Sequence, residues 1–227
     1  DPAVARAVEA AAAGVRRAPR SAHAWGRLGM VLLAHSFHVE AVPCLAEAER
    51  LAPHDPRWPY FQGVALALGD PDAAIPRLRR AVERCGDESE APRLRLAEVL
   101  AGQGHAGEAG DLFRQVVAVD PGNARAHLGL ARLACGRKDW TAALHHLGGA
   151  AASPLTRKAS HVLQAEVHQR RGDAAAAARE LHLADDLPDD ADAPDPYLEE
   201  LEKFQVGKQA HLARASRLLK QRREGEA

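Results

Sequence analysis

Histidine is the side chain here best suited to binding a metal or moving a proton near neutrality, and the chain holds twelve of them. Their spacing works against both uses. His35 and His38 are three apart, but a predicted helix–helix turn falls between them. His145 and His146 are adjacent and point to different faces of one helix. His161 and His168 share a face two turns apart, too far to close on one metal without a third element. No H-E-x-x-H or comparable ligand set occurs. Cys44, Cys85 and Cys135 are spaced 41 and then 50 apart in sequence, with no C-x-x-C. That odd, wide set makes neither a zinc site nor a disulfide framework. The three read as small, mostly buried apolar residues, and reduced thiols fit a cytoplasmic protein. Gly102-Gln103-Gly104 leads into Ala106-Gly107, but at a helix–helix turn rather than after a strand, so it is not a phosphate cradle. No serine lies in a G-x-S-x-G. The carboxylates fall on solvent faces and turns. The chain reads as a non-enzyme with no cofactor, no metal and no small-molecule substrate.

The elements that carry these residues follow from composition. The chain has 227 residues, with 30 Lys and Arg against 31 Asp and Glu, a net charge of −1. A general nucleic-acid binder would carry a clear basic excess. Alanine occurs 49 times, Ile75 is the lone isoleucine, and aromatics make up 4%. Such a chain cannot supply the β-branched and aromatic residues that sheets favour, and it reads as helical. No apolar run approaches the roughly 20 residues that span a bilayer. Asp1-Pro2-Ala3 runs straight into helix without a signal peptide. A mature secreted or periplasmic protein, or a trimmed chain, would begin in the same way.

A period is visible. Trp25-Gly26-Arg27-Leu28-Gly29 is followed by Leu32, Ala41, Leu45, Ala48 and Pro53, and a second tryptophan, Trp58, begins the next round. The later part of the pattern returns as Ala74, Leu78, Ala81; Ala109, Phe113, Val116; Ala143, Leu147, Ala150; and Ala177, Leu181, Ala184. The steps from one leading alanine to the next are 33, 35, 34 and 34. Turn residues recur at Gly69-Asp70, Gly104-His105, Lys138-Asp139 and Gly172-Asp173. Pro43 and Pro76, each inside a second helix, predict a bend near the start of that helix. Only the first two repeats keep tryptophan. Arg93, His127 and His161 take its place later, while Leu96-Ala97, Leu130-Ala131 and Gln164-Ala165 keep a small residue where Leu28-Gly29 had one.

The pattern W-x2-L-G-x2-L, then A-x3-L-x2-A-x4-P, resembles the tetratricopeptide repeat, whose period is about 34 residues. The resemblance covers roughly residues 22 to 189. It implies an all-α, right-handed α-α superhelix, a solenoid of about five helix pairs over 22–54, 55–88, 89–123, 124–156 and 157–189. Residues 1–20 add an N-terminal half-repeat helix, with Ala7, Ala11 and Gly14 on the second-helix pattern. Residues 190–227 add an acidic loop and a pair of C-terminal capping helices. Asp185 to Glu202 holds nine acidic residues and no Lys or Arg, and Tyr197 to Phe204 and Gly207 to Arg223 read as helices shielding the last repeat.

The resemblance also implies a function: a non-catalytic, bacterial-looking scaffold that binds a protein or peptide in the groove lined by first helices. The groove positions are Met30, Leu33, Leu66, Glu98, Arg125, Leu128, Arg132, Glu166 and Arg170, with Gly63 in the second repeat. An apolar N-terminal half would lead to arginines that suit a carboxylate-bearing partner, or that merely pair with Glu98 and Glu166. The subtype that clamps a C-terminal carboxylate with Lys and Asn is disfavoured, because Gly26 and Met30, or Leu94 and Glu98, hold those slots. Two alternatives stand beside this reading. The chain could be a docking module of a larger enzyme or redox protein. Or Lys208, Arg214, Arg217, Lys220, Arg222 and Arg223 could form a basic arm for nucleic acid or membrane. Exposed solenoid ends would also allow self-association.

Overall fold

Ala41, Ala74, Ala109 and Ala143, the residues that set the period, are fully buried in the computed structural model. So are Leu45, Leu78 and Leu147 one turn further on. The structure describes residues 1–208 with Ala210, Leu212 and Ala215. Among these residues the chain is all-helical, with α1 (Pro2–Arg17), α2 (Ala22–Ala34), α3 (His38–Leu51), α4 (Arg57–Leu66), α5 (Pro71–Cys85), α6 (Ala91–Gly102), α7 (Ala106–Val119), α8 (Ala124–Gly136), α9 (Trp140–Ala151), α10 (Arg157–Arg170), α11 (Ala174–Asp186) and α12 (Pro196–Glu202). Successive helices pack as hairpins: α2 on α3, α4 on α5, α6 on α7, α8 on α9 and α10 on α11.

Local chemistry sets the helix starts. Side-chain oxygens of Ser21, Asp70, Asn123, Asp139 and Asp173 accept from backbone N–H groups in the first turns of α2, α5, α8, α9 and α11, satisfying donors the helix cannot. Left-handed residues mark the turns inside the pairs. Ser36, Gly104, Lys138 and Gly172 all have positive φ and fall at one phase of the repeat. Asp70 occupies the same phase in the second repeat, where it caps α5 instead. Helices α3 and α5 run uninterrupted through Pro43 and Pro76.

The small residue at the helix crossing recurs at a constant step through Gly29, Gly63, Ala97, Ala131 and Ala165, all buried. A Cβ on Gly29 would lie 2.6 Å from Leu45 Cγ, and one on Gly63 would lie 2.5 Å from Leu78 Cγ. Gly63 is therefore a crossing residue and not part of a groove. Trp58, buried in α4, stands five residues before Gly63, whereas Trp25 stands four before Gly29.

The chain divides into two compact units. The first is Asp1–Cys85 with the segment from Asp195. Its core holds Trp58, Tyr60, Phe61, Leu45 and Leu78. A clamp across α3, α4 and α5 reinforces it: the Glu49 carboxylate accepts from Gln62 at 2.7 Å, Arg80 at 2.8 Å and Arg84 at 2.7 Å. The second unit is Gly86–Pro194, with a core of Leu128, Ala131, Ala134, Ala143, Leu147, Ala150 and Val167.

The C-terminal segment departs from the expected cap. Helix α12 packs on α2 in the first unit, and Leu181 on α11 is left 49% exposed. The acidic stretch before α12 does seat on the last repeat. Asp190 accepts from the backbone N–H groups of Lys158 and Ala159 at 2.7 and 3.0 Å, a favourable place for a carboxylate at the start of α10. Thr156, the residue preceding α10, makes no such side-chain bond. Leu218, Leu219, Arg214, Arg217, Lys220, Arg222 and Arg223 lie outside the described residues.

Three substitutions check this account by thermal unfolding. Lys138→Gly raises the midpoint, because a left-handed L-residue costs about 1 kcal/mol. Gly63→Ala lowers it by overpacking, by about 1–3 kcal/mol. Glu49→Gln costs about 2 kcal/mol at neutral pH. Burial alone would raise the Glu49 carboxyl, but hydrogen bonds from Arg80, Gln62 and Arg84 outweigh it and bring it from 4.5 to about 2. The ionised form is the one the fold favours, so its contribution is present above pH 4.5 and fades as pH falls toward 2. The gap between parent and Glu49→Gln closes over that window.

Candidate functional site

In the second unit α6, α7 and α8 enclose an open cleft of about 620 Å³. Its floor is apolar: Phe113 from α7, Leu128 and Leu133 from α8, and Ala101 from α6. Gly129 lets α8 approach closely, since a Cβ there would lie 2.4 Å from the Phe113 ring. Charge is added by Glu98 on α6, by Arg125 and Arg132 on α8 and by Arg137 just beyond its end. Arg125 is spent on Glu98, at 2.7 Å, and Arg95 reaches the same carboxylate at 3.6 Å. Arg132 and Arg137 are exposed and have no ion-pair partner among the described residues. The cleft thus holds more fixed cation than anion. Arg132 also lines a shallower hollow of about 400 Å³ beside Val162, Leu163 and Glu166, where Lys158 meets Asp189 at 3.0 Å.

Four of the expected groove residues, Glu98, Arg125, Leu128 and Arg132, come together in this cleft, and Glu166 lies in the adjoining hollow. Arg170 is outside both and faces Glu166 at 3.7 Å on the surface. Met30 and Leu33 are 1% and 5% exposed on α2 and take part in the core. Leu66 is half-buried.

Two residues escaped the sequence reading. Counting in whole repeats from the crossing glycines puts Arg57 in phase with Arg125, and Tyr60 in phase with Leu128, two periods earlier. Both face the chain's own C-terminal segment. Arg57 meets Glu200 at 3.1 Å, the Tyr60 hydroxyl donates to the Asp195 carboxylate, and the Tyr60 and Tyr197 rings pack with centroids 4.6 Å apart. Trp58 follows Trp25 by 33 residues rather than 34, so counting from the tryptophans passes over Arg57 and Tyr60. The unbroken run of small residues at the crossing was the signal that would have found them.

Two thiols and two histidine contacts lie outside the cleft. Burial, with Glu166 nearby, pushes the Cys135 thiol up, and burial does the same to Cys44. Both therefore stay protonated and poorly nucleophilic at neutral pH. His127 and His146 meet at 3.1 Å between Nδ1 atoms. One repeat later the equivalent pair is His161 with Glu180, at 2.7 Å. Among the described residues no three His, Cys, Asp or Glu side chains are grouped to hold a metal. No helix there is long and apolar enough to cross a membrane.

Family profiles for the tetratricopeptide repeat match residues 4–56, which take in α1 to α3, and residues 100–154, which take in α7 to α9. This is a tetratricopeptide-repeat protein. Solved structures of the same fold include MamA from Desulfovibrio magneticus RS-1, at 22% identity over 82% of this chain and 97% of that one, with a TM-score of 0.66. YrrB, described as a TPR protein with an unusual peptide-binding site, matches at 14% identity over 79% of this chain and 92% of its own, with a TM-score of 0.64. PilW, a widely conserved type IV pilus biogenesis factor, matches at 17% over 87% and 90%, also with a TM-score of 0.64. No curated protein sequence is similar to this chain.

The His127–His146 pair of this repeat protein has a measurable consequence. Burial, then the nearby His127 and His145, hold the His146 imidazole below its ordinary pKa of 6.5. The unfolded chain then binds the proton more readily, so the stability at stake is present above pH 6.5 and is lost as pH falls below it. The unfolding midpoint drops as pH falls below 6.5, and His146→Asn flattens that drop.

Proposed function

We propose that this protein is a non-catalytic docking scaffold whose second unit receives an acidic peptide segment with an apolar anchor in the cleft between α6 and α8. The observation that carries this reading is the pair Arg132 and Arg137, exposed and without ion-pair partners among the described residues, beside the apolar floor of Leu128, Leu133 and Phe113. A guanidinium fork suits a carboxylate, and a shaped apolar pocket beside it suits a single large side chain. Affinity would come from those few anchors rather than from total area. A protein-binding role also fits the fold, which it shares with the peptide-binding YrrB. Further support comes from the first unit, where Arg57 and Tyr60, in phase with Arg125 and Leu128, meet an acidic segment bearing a tyrosine. The formal charge of −1 for the whole chain favours a peptide over nucleic acid as the occupant.

The test is a fluorescein-labelled peptide with three glutamates around one phenylalanine, followed by anisotropy. Charge reversal is placed at Arg132 and Arg137, because Arg125→Glu would set a second carboxylate against Glu98 and disturb the fold. The parent binds the peptide, affinity falls as salt rises and the Debye length shrinks below about 10 Å, and Arg132→Glu with Arg137→Glu weakens binding at least tenfold. Equal affinity for parent and variant contradicts the reading.

A further inference from the structure

The first unit carries a surface that its own chain already fills. The segment from Asp195 to Lys208 crosses α2 and α4 and ends near Asp1. Asp195 is 3% exposed. One of its carboxylate oxygens accepts from the Tyr60 hydroxyl. The other accepts from the backbone N–H groups of Tyr197 and Leu198 at 3.1 and 3.2 Å, which starts α12. Two residues on, the Tyr197 ring packs on Tyr60 and stands edge-on to Phe61 with centroids 6.3 Å apart. Its hydroxyl reaches Cys85 Sγ at 3.4 Å. Five residues after Asp195, Glu200 pairs with Arg57, which Asp55 holds in place at 2.6 Å. Downstream, the backbone N–H of Lys208 donates to the Asp1 carboxylate at 2.9 Å.

These contacts are those of a bound ligand more than of a core. They are a capped carboxylate, one stacked ring and one ion pair, and from Asp195 to Glu202 only Asp195 and Leu201 are buried. A helix of seven residues has no stability of its own in water, so α12 depends on this surface for its conformation. The seat also repeats the phase of the cleft in the second unit, with Arg57 and Tyr60 in place of Arg125 and Leu128.

We propose that residues 195–208 are an intramolecular ligand of the first unit, and that the same face of α2 and α4 takes in trans a short acidic helix opened by Asp-Pro-aromatic with a glutamate five residues after the aspartate. Each part of that motif has its receptor. The aspartate meets the Tyr60 hydroxyl, the aromatic ring meets Tyr60 and Phe61, and the glutamate meets Arg57. A segment tethered to its own site competes at an effective concentration on the order of millimolar. A partner of this kind therefore binds the closed chain weakly, and binds well once the tether is released.

The probe is a labelled peptide of residues 193–204 of this chain, titrated into the full chain. Both chains compared carry Arg132→Glu and Arg137→Glu, so the cleft of the second unit does not contribute and failure there is not confused with failure here. Adding Tyr197→Ala loosens the internal segment and raises peptide affinity at least tenfold. Replacing the tyrosine of the peptide with alanine abolishes binding to both chains. Equal affinity for the closed and loosened chains overturns the proposal, as does a loosened chain that keeps its helical circular dichroism yet takes no peptide. If Tyr197→Ala does not fold, Glu200→Arg loosens the segment instead by setting two cations together at Arg57. Hydrogen exchange on the parent gives an independent reading. The amides of 197–201 exchange through local opening while α4 stays protected; exchange of both only on global unfolding makes the segment a structural element and overturns the proposal.

Discussion

Everything in this protein hangs on how closely two helices can cross. At the crossing inside the first two pairs stands a glycine, with a buried leucine where its Cβ would be: Gly29 against Leu45, and Gly63 against Leu78. The later pairs keep alanine at the same phase of the repeat, at Ala97, Ala131 and Ala165. A larger residue there would push the pair apart, and because interiors are packed to crystal density the displacement would pass to the neighbouring helices. The crossing also fixes rotation about each first helix. That rotation decides which residues face inward and which face a partner, so the position of Arg132 in the cleft is set by Ala131 beside it.

The same frame is used for two different surfaces. At the phase of Arg125 and Leu128 the second unit presents a guanidinium already paired with Glu98 and an aliphatic side chain, with room left between helices. The first unit presents Arg57 and the ring of Tyr60, and there the room is taken by Tyr197. Repeat arrays can vary such positions freely, because they contribute little to the crossing. The fold thus supplies position, and binding character comes from the few side chains placed on it.

The helical class, the period and the helix pairing could be read in the sequence because they rest on residues that repeat. Ala41, Ala74, Ala109 and Ala143 recur, and so do the capping residues Asp139 and Asp173. Glu98, Arg125, Leu128 and Arg132 also follow from the period, and they line one cleft. What could not be read depended on non-repeating features. Trp58 is large and conspicuous, but it follows Trp25 by 33 residues rather than 34, and a count from it lands on Gly63 and passes over Tyr60. The place of α12 could not be read at all: its amphipathic pattern fits a cap over α11 as well as a strap on α2. The choice was made by single contacts between residues 135 apart in sequence, Tyr60 with Asp195, which no local pattern records. Met30 and Leu33 show the opposite limit, since the period placed them on a first-helix face but could not tell that this face is closed.

The central claim is that the second unit offers the open docking surface and the first does not. Hydrogen exchange read by mass spectrometry, on the full chain with and without a saturating acidic peptide bearing one phenylalanine, addresses it most directly. The expected result is new protection confined to α6 and α8, from Glu98 to Arg137, with α2 and α4 unchanged. Protection appearing on α2 and α4 while α6 and α8 stay unaffected would contradict it.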